Sequence, residues 1–144
     1  MSRNKSQGFD EQLKTTYEQA LYCIDQPAIS WKIGVKSPAL EHLLILHKAD
    51  TAIFATADNP YSQIYSAKEN RNNHQALEKW IKENQLIFFK GRGEDPQGEW
   101  PPEESFLILG LNAEEGIQLG RHWQQNAVVF FEIGLPPTLL WCKD

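Results

Sequence analysis

Asp58-Asn59 before a proline, Asn70 one helical turn ahead of His74, Glu104-Ser105 after an acidic loop, and Gln125-Asn126 before an apolar run bring amides and carboxylates to the ends of predicted elements. Such groups recognise a ligand through hydrogen bonds. Asn59, Ser62, Asn70, Arg92, Glu104, Ser105, Gln125 and Asn126 are the binding candidates. The same region supports a second chemistry, in which Asp58 and Glu104 supply oxygens to a hard divalent cation and His74 acts as general base in a hydrolysis. Each group also has a plainer reading. Asn before Pro is ordinary turn chemistry, and buried backbone ends need polar partners. Glu69 suits a helix cap, His74 suits a hydrogen-bonded core position, and clustered Glu94, Asp95, Glu99, Glu103 and Glu104 suit a solvated acidic rim. Trp100 reads as a lid over the core or as an anchor for a partner.

Reaction-defining motifs are missing from the 144 residues. No G-x-S-x-G or H-E-x-x-H occurs, and the glycines of "GRGEDPQGEW" match neither phosphate-binding pattern, with carboxylates outnumbering the single Arg92 around them. No cofactor is expected. Fourteen basic and nineteen acidic side chains leave a net charge of −5 with no basic cluster, which argues against nucleic acid as partner. No apolar run approaches the ~18 residues of a membrane span, and "MSRNKSQGFDEQLK" lacks the apolar segment of a secretory signal. The expected setting is the cytoplasm, with Cys23 and Cys142 as reduced, buried thiols. The partner is an unknown protein or small molecule, the oligomeric state is open, and the edge of residues 138–142 offers a third, structural role through self-pairing.

The elements that must position these groups follow from local pattern. After a polar, frayed stretch at 1–8, residues 9–19 suggest a short helix, and two strands follow on either side of Gln26-Pro27. In "SPALEHLLILHK" Ser37 can cap, Pro38 suits the first turn, and Leu40, Leu43, Leu44 and His47 share a helical face. "TAIFATA" (51–57) reads as a buried strand closed by Asp58-Asn59-Pro60. "SAKE" (66–69) is a capping box in which Ser66 accepts from the amide of residue 69 and Glu69 reaches the amide of residue 66, opening a helix over 67–84. Strands follow at 86–91 and 105–111. The next helix starts at Asn112 and carries Gly116 and Gly120 on one face, which predicts a close approach to the sheet. Two more strands finish the chain.

The predicted fold class is therefore α+β (mixed α/β): one domain over 9–144, a sheet of six or seven strands, three or four helices, and one right-handed βαβ crossover. If the strand at 51–57, the helix at 67–84 and the strand at 86–90 form that crossover, both strands end at the same edge. Asp58-Asn59, the start of the helix at 66–70, the loop 91–103, Glu104-Ser105 and Gln125-Asn126 then meet there. Gly91 and Gly93 are expected to turn the chain into the acidic loop.

"TADNPYS", "SAKEN", "GRGEDPQGEWPPEESFLILGL" and "QNAVVF", in that order and spacing, resemble the small bacterial proteins grouped as domain of unknown function 3293. "IGVKSPALEHLL" and the stretch around Tyr17 and Tyr22 are also similar, so the resemblance spans about residues 15–140. Asp58 departs from the aromatic residue frequent at that place in the family. The resemblance implies a bacterial, cytoplasmic, single-domain protein. It adds weight to Asn59, Asn70, Trp100, Glu104, Ser105, Gln125 and Asn126 as pattern positions, and it brings no activity with it.

Overall fold

The computed structural model describes residues 5–143. In chain order its elements are α1 (Lys5–Gln19), β1 (Leu21–Ile24), β2 (Ile29–Trp31), α2 (Pro38–Leu46), β3 (Thr51–Thr56), α3 (Ala67–Glu83), β4 (Phe88–Glu94), β5 (Glu103–Leu109), α4 (Ala113–His122), β6 (Ala127–Glu132) and β7 (Thr138–Trp141). A single 3₁₀ turn, Pro60–Ser62, follows β3. The helix expected from residue 9 begins earlier, at Lys5, while residues 1–4 of the expected frayed end lie outside the described residues. Among the described residues no helix is long and apolar enough to cross a membrane.

The helix starts obey their capping chemistry. Ser37 accepts from the Leu40 amide, Ser66 from the Glu69 amide, and Asn112 and Glu115 form a complete reciprocal box. Only half of the box at Ser66 forms as expected. The Glu69 carboxylate accepts from the Ser66 hydroxyl at 2.9 Å rather than from its amide.

Seven strands form one sheet in the order β2-β1-β4-β5-β3-β6-β7, and every neighbouring pair is antiparallel. Because β3 and β4 both pair antiparallel with β5, they run parallel to each other, which is the expected crossover through α3 with β5 inserted between its strands. Strand alternation sends Phe54, Leu107, Val129 and Phe131 to one face, where Tyr22, Trp31 and the α2 leucines Leu40, Leu43 and Leu44 pack. Ile53, Phe106, Ile108 and Val128 go to the other, under Leu77 and Ile81 of α3 and Leu119 of α4. Helices thus cover both faces, and the central strands read as continuous apolar runs for that reason.

The glycine pair of α4 does what its spacing predicts. A Cβ at Gly116 would lie 2.1 Å from Ile53 Cδ1, and one at Gly120 would lie 2.2 Å from Cys142 Sγ. The helix therefore sits against the sheet at a distance no larger side chain allows, and that packing offsets about 1 kcal/mol per glycine in helix propensity.

The "GRG" segment corrects the sequence reading. Gly91 and Gly93 lie inside β4, facing Ile24 and Tyr22 of β1 on one side and Ser105 and Glu103 of β5 on the other. The loop shrinks to residues 95–102, and Asp95 organises it by accepting from the amides of Gln97, Glu99 and Trp100. The strand continues past Gly91 because β1 and β5 offer it ladders on both edges, which no local turn signal outweighs.

Candidate functional site

The strand directions bring the ends of β3, β4 and β7 and the starts of β1, β5 and β6 to one end of the sheet. There Thr56 faces Ser105, which in turn faces Gly91. The Thr56 hydroxyl donates to the Glu104 carbonyl at 2.6 Å and accepts from the Asp58 amide at 3.0 Å. Asp58 Oδ2 then accepts from the Glu104 amide at 3.2 Å, so the chain leaving β3 is tied to the chain entering β5.

Asn59 holds the next turn. Its amide donates to Asn70 Oδ1 at 2.8 Å, and its Oδ1 accepts from Asn70 Nδ2 and from the Tyr65 amide, both at 3.0 Å. Its Nδ2 donates to Glu103 Oε2 at 3.1 Å. These bonds hold a backbone that local sterics oppose, since Asn59, Tyr61 and Ser62 all have positive φ, at 47°, 53° and 63°. Residues held this way cost on the order of 1–3 kcal/mol each and persist where their surroundings over-determine them. From the other side, Asn126 Nδ2 donates to Ser62 Oγ at 2.9 Å, Gln125 Nε2 donates to the Asp58 carbonyl at 3.1 Å, and the Tyr17 hydroxyl lies 3.0 Å from Ser62 Oγ.

Behind this network lies a cavity of about 100 Å³ between α1, one face of the sheet and the 95–102 loop. Tyr17, Tyr22, Phe54 and Trp100 supply its aromatic walls. Ser62, Ser105, Gln125 and Glu103 supply its polar groups, and Glu94 and Asp95 also border it. Among the described residues the lining contains no lysine, arginine or histidine.

Burial sets the protonation of this end of the sheet. It pushes the Glu103 carboxyl up to about 7; the Asn59 bond opposes the rise and the Asp58 charge adds to it. Burial also pushes Asp58 up to about 6, against the amide bond from Glu104. The Tyr17 and Tyr22 hydroxyls are raised by burial too. Between pH 4.5 and about 7 the folded chain thus holds a proton on Glu103 that the unfolded chain releases. The associated stability is complete below pH 4.5 and is lost as pH rises through 7. Glu103→Gln, which keeps the shape and cannot ionise, is expected to be more stable than the parent at pH 8 by about 1–2 kcal/mol, allowing for partial exposure, and to show no gain at pH 4.5. Urea midpoints across that range check it; parallel curves for parent and variant would contradict the assignment.

A family model described as a protein of unknown function, DUF3293, matches residues 55–128, just over half of the chain. The chain belongs to this family. Neither a curated protein nor a solved structure matches it. The DUF3293 match covers the 58–62 turn, α3, the β4-β5 hairpin and Gln125-Asn126, so the hydrogen-bonded network apart from Tyr17 falls inside it. Tyr17 and Tyr22, which line the cavity from α1 and β1, fall outside it.

Of the candidates read from this DUF3293 sequence, the structure gathers Asp58, Asn59, Ser62, Asn70, Ser105, Gln125 and Asn126 in one network. Asn59 and Asn70 spend their amides on each other and on neighbouring groups. Arg92 is separate, its guanidinium held by Asp25 at 2.9 Å and by Glu94. The Glu104 side chain is 72% exposed and shares a strand face with Phe106, so it diverges from the Asp58 carboxylate that its amide touches. It lies 4.0 Å from His74 Nε2. His74 stacks on Phe106 at 4.4 Å, and burial lowers its pKa. Its Nδ1 is buried with no hydrogen-bond partner among the described residues. Asp58, Glu104 and His74 therefore do not form a joint cation-and-base site, and among the described residues no group of three His, Cys, Asp or Glu is placed to hold a metal ion. Cys23 and Cys142 are free and buried, and burial raises both thiols.

The residues missed in the sequence are Glu103, Tyr17, Tyr22 and Phe54 as cavity walls. Glu103 has a detectable signal. It stands two residues before Ser105 and four before Leu107, on the inward face of β5 once the strand is started at 103 instead of 105.

Proposed function

We propose that the protein is a non-catalytic binding or regulatory module whose ligand occupies the cavity beneath Trp100. The supporting observation is the cavity's composition: an aromatic enclosure with a few convergent polar groups, at strand ends, which is the usual make-up of small-molecule sites. Trp100 is 40% exposed and contributes to the wall, consistent with a lid that a ligand contacts as it enters. Against a hydrolytic role stands the separation of His74, packed on Phe106 on the opposite sheet face, from the cavity. A bacterial cytoplasmic setting accords with two free, buried cysteines.

A thermal-shift panel of small metabolites, amines, nucleotides and divalent metals, with a chelator control, tests this reading. A ligand at one hundred times its dissociation constant stabilises by about 2.7 kcal/mol, a rise of several degrees in Tm for a chain of this size. The rise is expected to shrink in Trp100→Ala, and the Trp100 indole N–H resonance is expected to move on titration. A panel without shifts and an unmoved indole resonance would overturn the cavity as a binding site.

A further inference from the structure

We propose that the cavity selects a primary ammonium group, the head of a short aliphatic amine, seated against the Glu103 carboxylate and the faces of the surrounding aromatic rings. The proposal rests on the binding reading above and specifies its ligand class. The first support is the sign of the lining: Glu103 brings a carboxylate from the inward face of β5, and no basic side chain lines the space among the described residues. The basic group nearest in the chain, Arg92, is engaged outside by Asp25 and Glu94 and does not serve as internal counter-ion. Four aromatic side chains line the space, and a ring's negative quadrupole attracts a cation seated over its face, the more so when water is excluded.

Three acidic residues border the cavity, and their partners locate the contact. Asp95 is occupied by three backbone amides, and Glu94 by Arg92. Glu103 accepts one side-chain bond, from Asn59, and keeps the remaining acceptor capacity of a carboxylate. A buried carboxyl without a cationic partner resolves its desolvation by holding a proton, as Glu103 does near neutral pH. An ammonium ion displaces that proton and restores the charge pair. A divalent metal is a poorer fit, since it takes six or more oxygens where these walls offer rings. Size narrows the choice further. At about 100 Å³ the space is smaller than an engineered cavity of about 150 Å³ that admits benzene, which leaves room for an ammonium with a short alkyl chain.

Ethylammonium is the probe, followed by the Trp100 indole resonance and by calorimetry in two buffers of different ionisation enthalpy. Ethanol and acetate serve as neutral and anionic controls of similar size. Saturable binding is expected for ethylammonium alone, with a proton released near pH 7. The titratable groups around Glu103 are Tyr17 from α1, Tyr22 from β1 and Asp58 after β3; Glu94 and Asp95 border the same cavity from the end of β4 and its loop, and Glu104 is next to it in β5 with its side chain on the other face. Of these Asp58, pushed up to about 6, is half ionised at pH 6 and nearly fully so at pH 7, so the change between pH 7 and 8 belongs mainly to Glu103 and the Glu103→Gln variant separates the two below that. Affinity is expected to be about tenfold higher at pH 8 than at pH 6, the ratio of ionised Glu103 in the free protein. Glu103→Gln, checked for folding by circular dichroism, is expected to weaken binding at least about tenfold and to remove the proton release and the pH dependence above pH 7, leaving only the smaller contribution of Asp58 below it. Equal binding of ethanol or acetate, or ethylammonium binding indifferent to Glu103→Gln, overturns the ammonium assignment and leaves the cavity as a site of another selectivity. Failure of ethylammonium together with every compound of the broader panel overturns both.

Discussion

Asn59→Ala is expected to lower the stability of the fold by about 3–5 kcal/mol, a loss larger than the usual effect of a turn substitution. Three side-chain bonds disappear together, to Asn70, Tyr65 and Glu103. Each is worth about 1 kcal/mol when made, and more is lost where a buried donor or acceptor stays unpaired. The substitution also places a Cβ-bearing residue without a local side-chain acceptor at φ 47°, a region asparagine tolerates better than alanine. The sequence offered Asn59 both as a binding candidate and as a turn former before Pro60. Its geometry gives it the support of the turn that closes the cavity. A second readout separates the two roles. Without the Asn59 bond the Glu103 pKa is expected to rise further, measurable by NMR titration of the carboxyl carbon. A stability loss below about 1 kcal/mol with an unmoved Glu103 would show that the network does not hold the turn.

Gly91→Ala is expected to destabilise by about 3 kcal/mol or more, and Gly93→Ala by less than about 1 kcal/mol. The two glycines stand two residues apart in one strand, and only their neighbours differ. A Cβ at Gly91 would lie 2.0 Å from the Cys23 carbonyl oxygen and 2.9 Å from Ile24 Cα, backbone atoms that move only if β1 parts from β4. A Cβ at Gly93 would meet the Tyr22 ring at 3.6 Å, an ordinary contact. Urea unfolding gives the energies, and amide exchange across Leu21–Ile24 shows whether β1 detaches. Equal losses for the two variants would rule out strand approach as the reason for Gly91.

These positions also show how far the sequence could be read. The starts of α2, α3 and α4 were legible because a cap and its acceptor lie within three residues, as in Ser37 with Leu40 and Asn112 with Glu115. The βαβ expectation brought Asp58, Ser105 and Gln125 to one edge, since strand direction follows from a short crossover. The role of Gly91 was hidden because its crowding partner, Cys23, lies far away in sequence; locally a glycine before an acidic, proline-rich stretch reads as a turn. Tyr17 and Tyr22 escaped for a related reason. The pairing of β1 with β4 is set by tertiary packing, and until that pairing is known nothing places α1 at the same end of the sheet. Glu103 was read as part of an exposed acidic rim because the start of its strand was placed two residues late.

The insertion of β5 between two parallel strands has a consequence for synthesis. Translation delivers β3 before either of its partners, β5 and β6, while β4 can already pair with β1. A nascent chain ending before residue 103 therefore carries "TAIFAT" with no native strand to join. At about 5–20 residues per second, that apolar segment waits seconds for its neighbours. The centre of the sheet is thus assembled only after its β1–β4 part can form, and until then α2 and α3, which cover its two faces in the finished fold, are the shelter the growing chain can provide.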